Sequence, residues 1–148
     1  MEIKEQDIPS GAEIKNMTAL IAYEKVGEEG RIYLTITEKL FKEDSLKSTI
    51  TFCKIEKGEF PEETVMRSMK KIGKIVDISF VRDFYWKDES DIYKVYLYTG
   101  IVTALIAIPK KVVAGDVTKV SLFQAITSPE VTNLSQDCIK MVFVPSKS

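Results

Sequence analysis

The chain has 148 residues, 45% of them hydrophobic and 29% charged, with a net charge of −1 and no histidine. That length is a common size for one domain, and the composition is ordinary for a globular one, so a core forms without disulfides or metal. The balanced charge gives no electrostatic footprint for nucleic acid or a membrane surface, and the missing histidine removes Ser-His and Cys-His nucleophile pairs and histidine metal sites.

Residues 1–16 are polar and carry no signal-peptide core; Pro9-Ser10-Gly11 reads as a turn. A flexible arm or a short edge strand is expected there. Residues 17–26 read as the first strand. Gly27-Glu28-Glu29-Gly30 then signals a hairpin. In residues 31–38, Ile32, Leu34 and Ile36 alternate with Arg31, Tyr33, Thr35 and Thr37, the period of a half-buried strand. Residues 39–47 either continue that strand or form one helical turn. Residues 48–55 are rich in β-branched side chains and read as the third strand.

The clearest helix is expected over residues 61–72. Pro61 suits the first position, and Glu62 and Glu63 suit the positive end of the dipole. Val65, Met66, Met69 and Ile72 recur at helical spacing, and Gly73 suits the C-terminal cap.

Strands resume with Val76, Ile78 and Phe80 and run on through Phe84, Tyr85 and Trp86. Residues 87–91 read as a polar loop. In residues 92–99, Tyr93, Val95 and Leu97 share one face, and Lys94, Tyr96 and Tyr98 the other. Residues 101–108 are apolar on both faces and read as a central strand. This run is too short to span a bilayer. Residues 117–126 and 138–144 read as closing strands, with a short helix near 129–135 opened by Ser128-Pro129.

Three strands, a helix and about five more strands predict a mainly β fold, a β-barrel or β-sandwich, with α+β as the alternative. In element order, residues 17–97 are similar to the five-stranded, OB-like barrel, where a helix commonly lies between the third and fourth strands. No motif identifies a family. The chain reads as a single domain over residues 1–148.

The first candidate site is aromatic and basic: Phe84, Tyr85, Trp86, Lys94, Tyr96 and Tyr98, extended by Arg31 and Tyr33. Such a face stacks single-stranded bases, and the same tyrosines equally serve a protein interface. The neighbouring acids Asp88, Glu89 and Asp91 repel phosphate. A second candidate is the basic patch Arg67, Lys70, Lys71 and Lys74, either a phosphate contact or a solvated helix end. The carboxylates Asp77 and Asp83 lack metal-ligand spacing, so no metal site and no catalytic residue is expected. Cys53 and Cys138 form no C-x-x-C pair and read as buried, reduced thiols.

These observations predict a non-catalytic binding module without cofactor. The leading form is a protein–protein interaction or self-associating assembly protein, of viral accessory or inhibitor type, with a small ligand at a subunit interface as a variant. The alternative is an OB-like protein for single-stranded nucleic acid or a nucleotide. No membrane partner is expected, and the location is cytoplasmic, in the host cytoplasm if the protein is viral.

Overall fold

Two periodicities meet in this chain, and together they build a curled mixed sheet with helices on both faces. The structure, a computed structural model, describes residues 1–41, 45–105 and 117–144. The elements are β1 (Glu2–Ile3), β2 (Ile14–Val26), β3 (Arg31–Phe41), β4 (Ser45–Thr49), β5 (Thr51–Lys54), α1 (Pro61–Met69), β6 (Gly73–Asp88), β7 (Asp91–Leu105), β8 (Val117–Ser121), α2 (Leu122–Thr127) and α3 (Asn133–Phe143). The strands run in the order β1-β6-β7-β2-β3-β4, with β5 also on β2 and β8 also on β3.

The hairpin read at Gly27–Gly30 joins β2 to β3, with Val26 opposite Arg31 and positive φ at both glycines. At the centre of the sheet, β2 and β7 pair in parallel from Ile14 opposite Ile92 to Tyr23 opposite Ile101. An all-antiparallel barrel or sandwich has no such pair, so the mixed, α+β form of the expectation describes the sheet. The described ladders follow an open path from β1 to β4.

Alternation along β2 sends its residues into two cores. Ala19 and Ile21 join Leu34, Ile36, Ile50, Phe84, Trp86, Val95 and Leu97 beneath Ala125 of α2 and Cys138 and Ile139 of α3. Leu20 and Ala22 join Ile75, Tyr98 and Val102 beneath Val65 and Met69 of α1. Gly100 lets β6 cross closely here, because a Cβ at that position would sit 2.5 Å from Ile75 Cγ2.

Several expected elements take another form. The strand expected over 48–55 is broken at Ile50, whose N–H donates to Ser135 Oγ at 3.1 Å. The chain there changes partner, β4 lying on β3 and β5 on β2. Residues 39–41 and 45–47 are strand, and 42–44 lie outside the described residues.

The helix expected over 61–72 ends at Met69. Its last residues tighten into i→i−3 bonds, Lys71 N–H to Ser68 and Ile72 N–H to Met69. Met66 is exposed, not core. The loop expected over 87–91 is a two-residue turn, Glu89-Ser90, with Glu89 at φ 54.

Beyond Ile101, β7 has no β2 partner, so Thr103 and Ala104 are exposed, unlike a central strand. Residues 106–108 lie outside the described residues.

The C-terminal region departs most. The strand expected over 117–126 stops at Ser121, where a capping box starts α2. Gln124 N–H donates to Ser121 Oγ, and Ser121 N–H to Gln124 Oε1, each at 3.2 Å. The expected short helix starts at Asn133 and absorbs the strand expected at 138–144. Ser135, Cys138, Ile139 and Val142 recur at i, i+3, i+4 and i+7 and point at the sheet. Among the described residues, no helix is long and apolar enough to cross a membrane.

Candidate functional site

The sheet divides the aromatic and basic cluster expected from the sequence. Phe84 and Trp86 are buried in the core beneath α3. Tyr96 and Tyr98 lie on the α1 face instead. Lys94 Nζ stays with them, 4.2 Å from the centre of the Tyr85 ring and 3.1 Å from Asp83. Burial opposes the Lys94 charge, but the bond to Asp83 prevails and raises its pKa.

Tyr98 donates its hydroxyl to Glu62 at 3.3 Å, and burial together with that carboxylate pushes its pKa up to about 12. Arg31 and Tyr33 do not join this group. Tyr33 pairs with Glu24 and Tyr96 with Thr18, six residues apart along β2. That separation is about 20 Å. In the basic patch, Lys70, Lys71 and Lys74 are exposed, and Arg67 is engaged as described below.

Arg67 and Glu59 form the hub of the loop before α1. Glu59 accepts from Arg67 Nη2 at 2.9 Å and Nε at 3.1 Å, from Thr64 Oγ1 at 2.6 Å and from the Glu56 N–H at 3.1 Å. Led by the Arg67 bond, these donors hold the Glu59 carboxyl down at about 2. Arg67 Nη2 also donates to the Lys54 carbonyl at 2.9 Å, tying the loop to β5. The donors of Arg67 and Thr64 are taken up by Glu59 and the Lys54 carbonyl, so this hub is structural.

The other face is different. A cavity of about 430 Å³ opens between the sheet and the first turn of α3. Met17, Phe52, Trp86 and Tyr93, from β2, β5, β6 and β7, line it, with Asp88 beside them. Thr49 also lines it and is 2% exposed, and its Oγ1 has no hydrogen-bond partner. Leaving such a group unpaired costs about 1–3 kcal/mol.

The N-cap of α3, Thr132, uses its hydroxyl on Ser135 Oγ at 2.8 Å and makes no side-chain cap. The first-turn N–H groups of a helix lack intrahelical partners and carry its positive end. The cavity thus offers aromatic walls and an electropositive rim, with an unpaired hydroxyl buried in its wall. That set suits a flat, polar ring.

Two further cavities adjoin. One of about 540 Å³ shares Met17, Phe52 and Tyr93 and adds Lys15, Asn16, Cys53 and Lys54. Another of about 350 Å³ shares Asn16 and Ile55 and reaches residues 56–59 and Tyr96. Through these shared residues the three follow one another from α3, past the start of β2 and the end of β5, to the loop before α1, a groove that passes from one face of the sheet to the other. Of the residues chosen from sequence for binding, Trp86 and Tyr96 line it. Thr49, Met17, Phe52 and Tyr93 were missed. They lie on four different strands, and no local pattern marks an unpaired hydroxyl.

No protein-family model matches the chain, and no curated protein does. Solved structures share its fold. A Nudix hydrolase from Nitrosomonas europaea aligns with a TM-score of 0.70 at 12% identity, over 86% of this chain and 87% of that one. The NUDIX domain of Shewanella oneidensis NrtR, complexed with ADP ribose, gives 0.67 at 11%, over 93% and 90%. A C. elegans Ap4A hydrolase gives 0.59 at 12%, over 85% and 93%.

The chain therefore has the Nudix fold. This corrects the expectation of a non-catalytic interaction or assembly protein of viral type, and of an OB-like nucleic-acid binder as its alternative. Of these structures, those from Nitrosomonas europaea and C. elegans are described as hydrolases.

Chemistry at phosphate often recruits a divalent cation held by carboxylates. The donor set here does not fit one. Among the described residues, no three Cys, Asp or Glu side chains come together to hold a metal. Glu59 is committed to Arg67, Glu63 accepts from the Phe60 N–H at 3.1 Å, and Glu62 accepts from Tyr98.

Proposed function

We propose that the protein is a hydrolase of nucleoside phosphates. The base lies in the aromatic cavity beneath α3, and the phosphates run along the groove toward the loop before α1. Hydrolysis adds water across a phosphoanhydride bridge and releases two phosphorylated fragments. The carrying observation is the aromatic cavity at the start of α3, lined by Phe52, Trp86 and Tyr93, with the unpartnered Thr49 hydroxyl buried in its wall. The likeness in fold to a Nudix hydrolase, an Ap4A hydrolase and an ADP-ribose complex supports the substrate class.

A cytoplasmic location belongs to the same proposal, supported by the two free thiols Cys53 and Cys138. Burial pushes the Cys138 thiol up and keeps it inert.

The test is chromatographic. Purified protein is incubated with ADP-ribose, Ap4A and nucleoside triphosphates, and new phosphorylated fragments are sought. The expected result is turnover of one of these above the uncatalysed rate, with loss of Trp86 emission as the same compound binds. Trp86 is the single tryptophan and lines the cavity. Neither turnover nor a fluorescence change with any of them would sink the reading.

A further inference from the structure

A nucleotide in this groove brings several negative charges, and something must neutralise them. The carboxylates near the loop before α1 are poor candidates for gathering a divalent ion. Glu59 already accepts four hydrogen bonds, two of them from Arg67. Glu63 closes the N-terminus of α1 by accepting from Phe60, and Glu62 holds the Tyr98 hydroxyl. A hard cation needs several free oxygen ligands at once. Of the two acids lining the cavity beside the loop, only the exposed Glu56 lies outside the hub, and freeing further ligands means dismantling the hub that fixes the loop.

Two lysines stand at the same place uncommitted. Lys54 lines the middle cavity and Lys57 the one beside the loop. Both are exposed, and neither has an ion-pair partner among the described residues. Their backbone is not free to wander. The Lys54 carbonyl accepts from Arg67, and the Glu56 N–H beside Lys57 donates to Glu59. Lys15, the third lysine of the groove, is engaged with Asp91 at 3.3 Å. A lysine on a fixed backbone meets phosphate as a point charge.

We infer that the groove takes the phosphates of its nucleotide directly on Lys54 and Lys57, with no divalent cation between ligand and protein. This rests on the nucleotide reading given above.

The experiment titrates ADP-ribose into the full chain and follows Trp86 emission, once in excess Mg²⁺ and once in excess EDTA. The affinity is expected to agree in the two buffers within about twofold, and the K54A/K57A variant to bind about tenfold more weakly in both. A circular-dichroism melt confirms that the variant is folded; if it is not, K54Q/K57Q serves instead. Binding that weakens tenfold or more in EDTA and returns with Mg²⁺ overturns the inference while keeping the nucleotide reading. Folded variant binding as tightly as wild type also overturns it. No binding in either buffer removes the nucleotide reading itself, and the inference with it.

Discussion

The two faces of the sheet are built from one alternating set of strands, yet they treat polar groups in opposite ways. On the α1 face, polar side chains are paired: Glu59 with Arg67, Tyr98 with Glu62, Lys94 with Asp83. On the α3 face, Thr49 is buried without a partner beside a cavity lined by aromatics. Satisfied networks hold a fold in one arrangement, whereas an unsatisfied buried group marks a place kept for something else. The faces therefore differ in kind: the α1 face braces the loop before α1, and the α3 face holds the aromatic end of the proposed nucleotide site.

The largest effect is expected at the core of the α3 face. Leu97 is fully buried there. Leu97→Ala is expected to cost about 3 kcal/mol in urea unfolding, through lost transfer energy and a cavity. A loss below 1 kcal/mol, on the order of a surface change, would show that this core is not the one described.

Gly100→Ala probes the α1 face. The new methyl would meet Ile75 Cγ2 at 2.5 Å and Ile78 Cδ1 at 2.6 Å. Overpacking there is expected to cost about 1–3 kcal/mol. An unchanged melting temperature would mean that β6 does not cross so closely.

Glu59→Gln tests the paired α1 face through pH. The folded carboxyl titrates at about 2, below its ordinary 4.5. Its contribution is therefore complete above pH 4.5 and fades as pH falls toward 2. Wild type is expected to be the more stable at neutral pH, and the gap to Glu59→Gln to close on acidification. A gap independent of pH in denaturant midpoints would show that the charge of Glu59 is not what holds the hub.

The smallest effect belongs to Thr49→Val. Replacing an unpaired hydroxyl by a methyl of similar shape should stabilise the free protein by about 1 kcal/mol and weaken the binding of ADP-ribose. Destabilisation instead would mean that the hydroxyl has a partner in the free protein.

Much of the scaffold is legible in local pattern. Ile32, Leu34 and Ile36 alternate, and they are half-buried or buried in the core beneath α3. Pro61, Glu62 and Glu63 announce α1, and the glycines of residues 27–30 announce the first hairpin. The C-terminal apolar runs were harder, because short runs fit a strand or a helix equally well. The capping pair Ser121 and Gln124 was the available signal for α2.

Backbone periodicity is a local property, so the order of residues alone fixes which segments alternate, where α1 starts and that strand outweighs helix. Partner choice is not local. The parallel pairing of β2 with β7 joins residues far apart in the chain, such as Met17 and Val95. The cavity likewise assembles Thr49, Phe52, Trp86, Tyr93 and residues 132–134. Only the tertiary structure could decide that Trp86 and Tyr96 face opposite layers, or that Thr49 lacks a partner. Such facts depend on what the folded chain brings within hydrogen-bonding distance, and the order of residues alone does not carry that information.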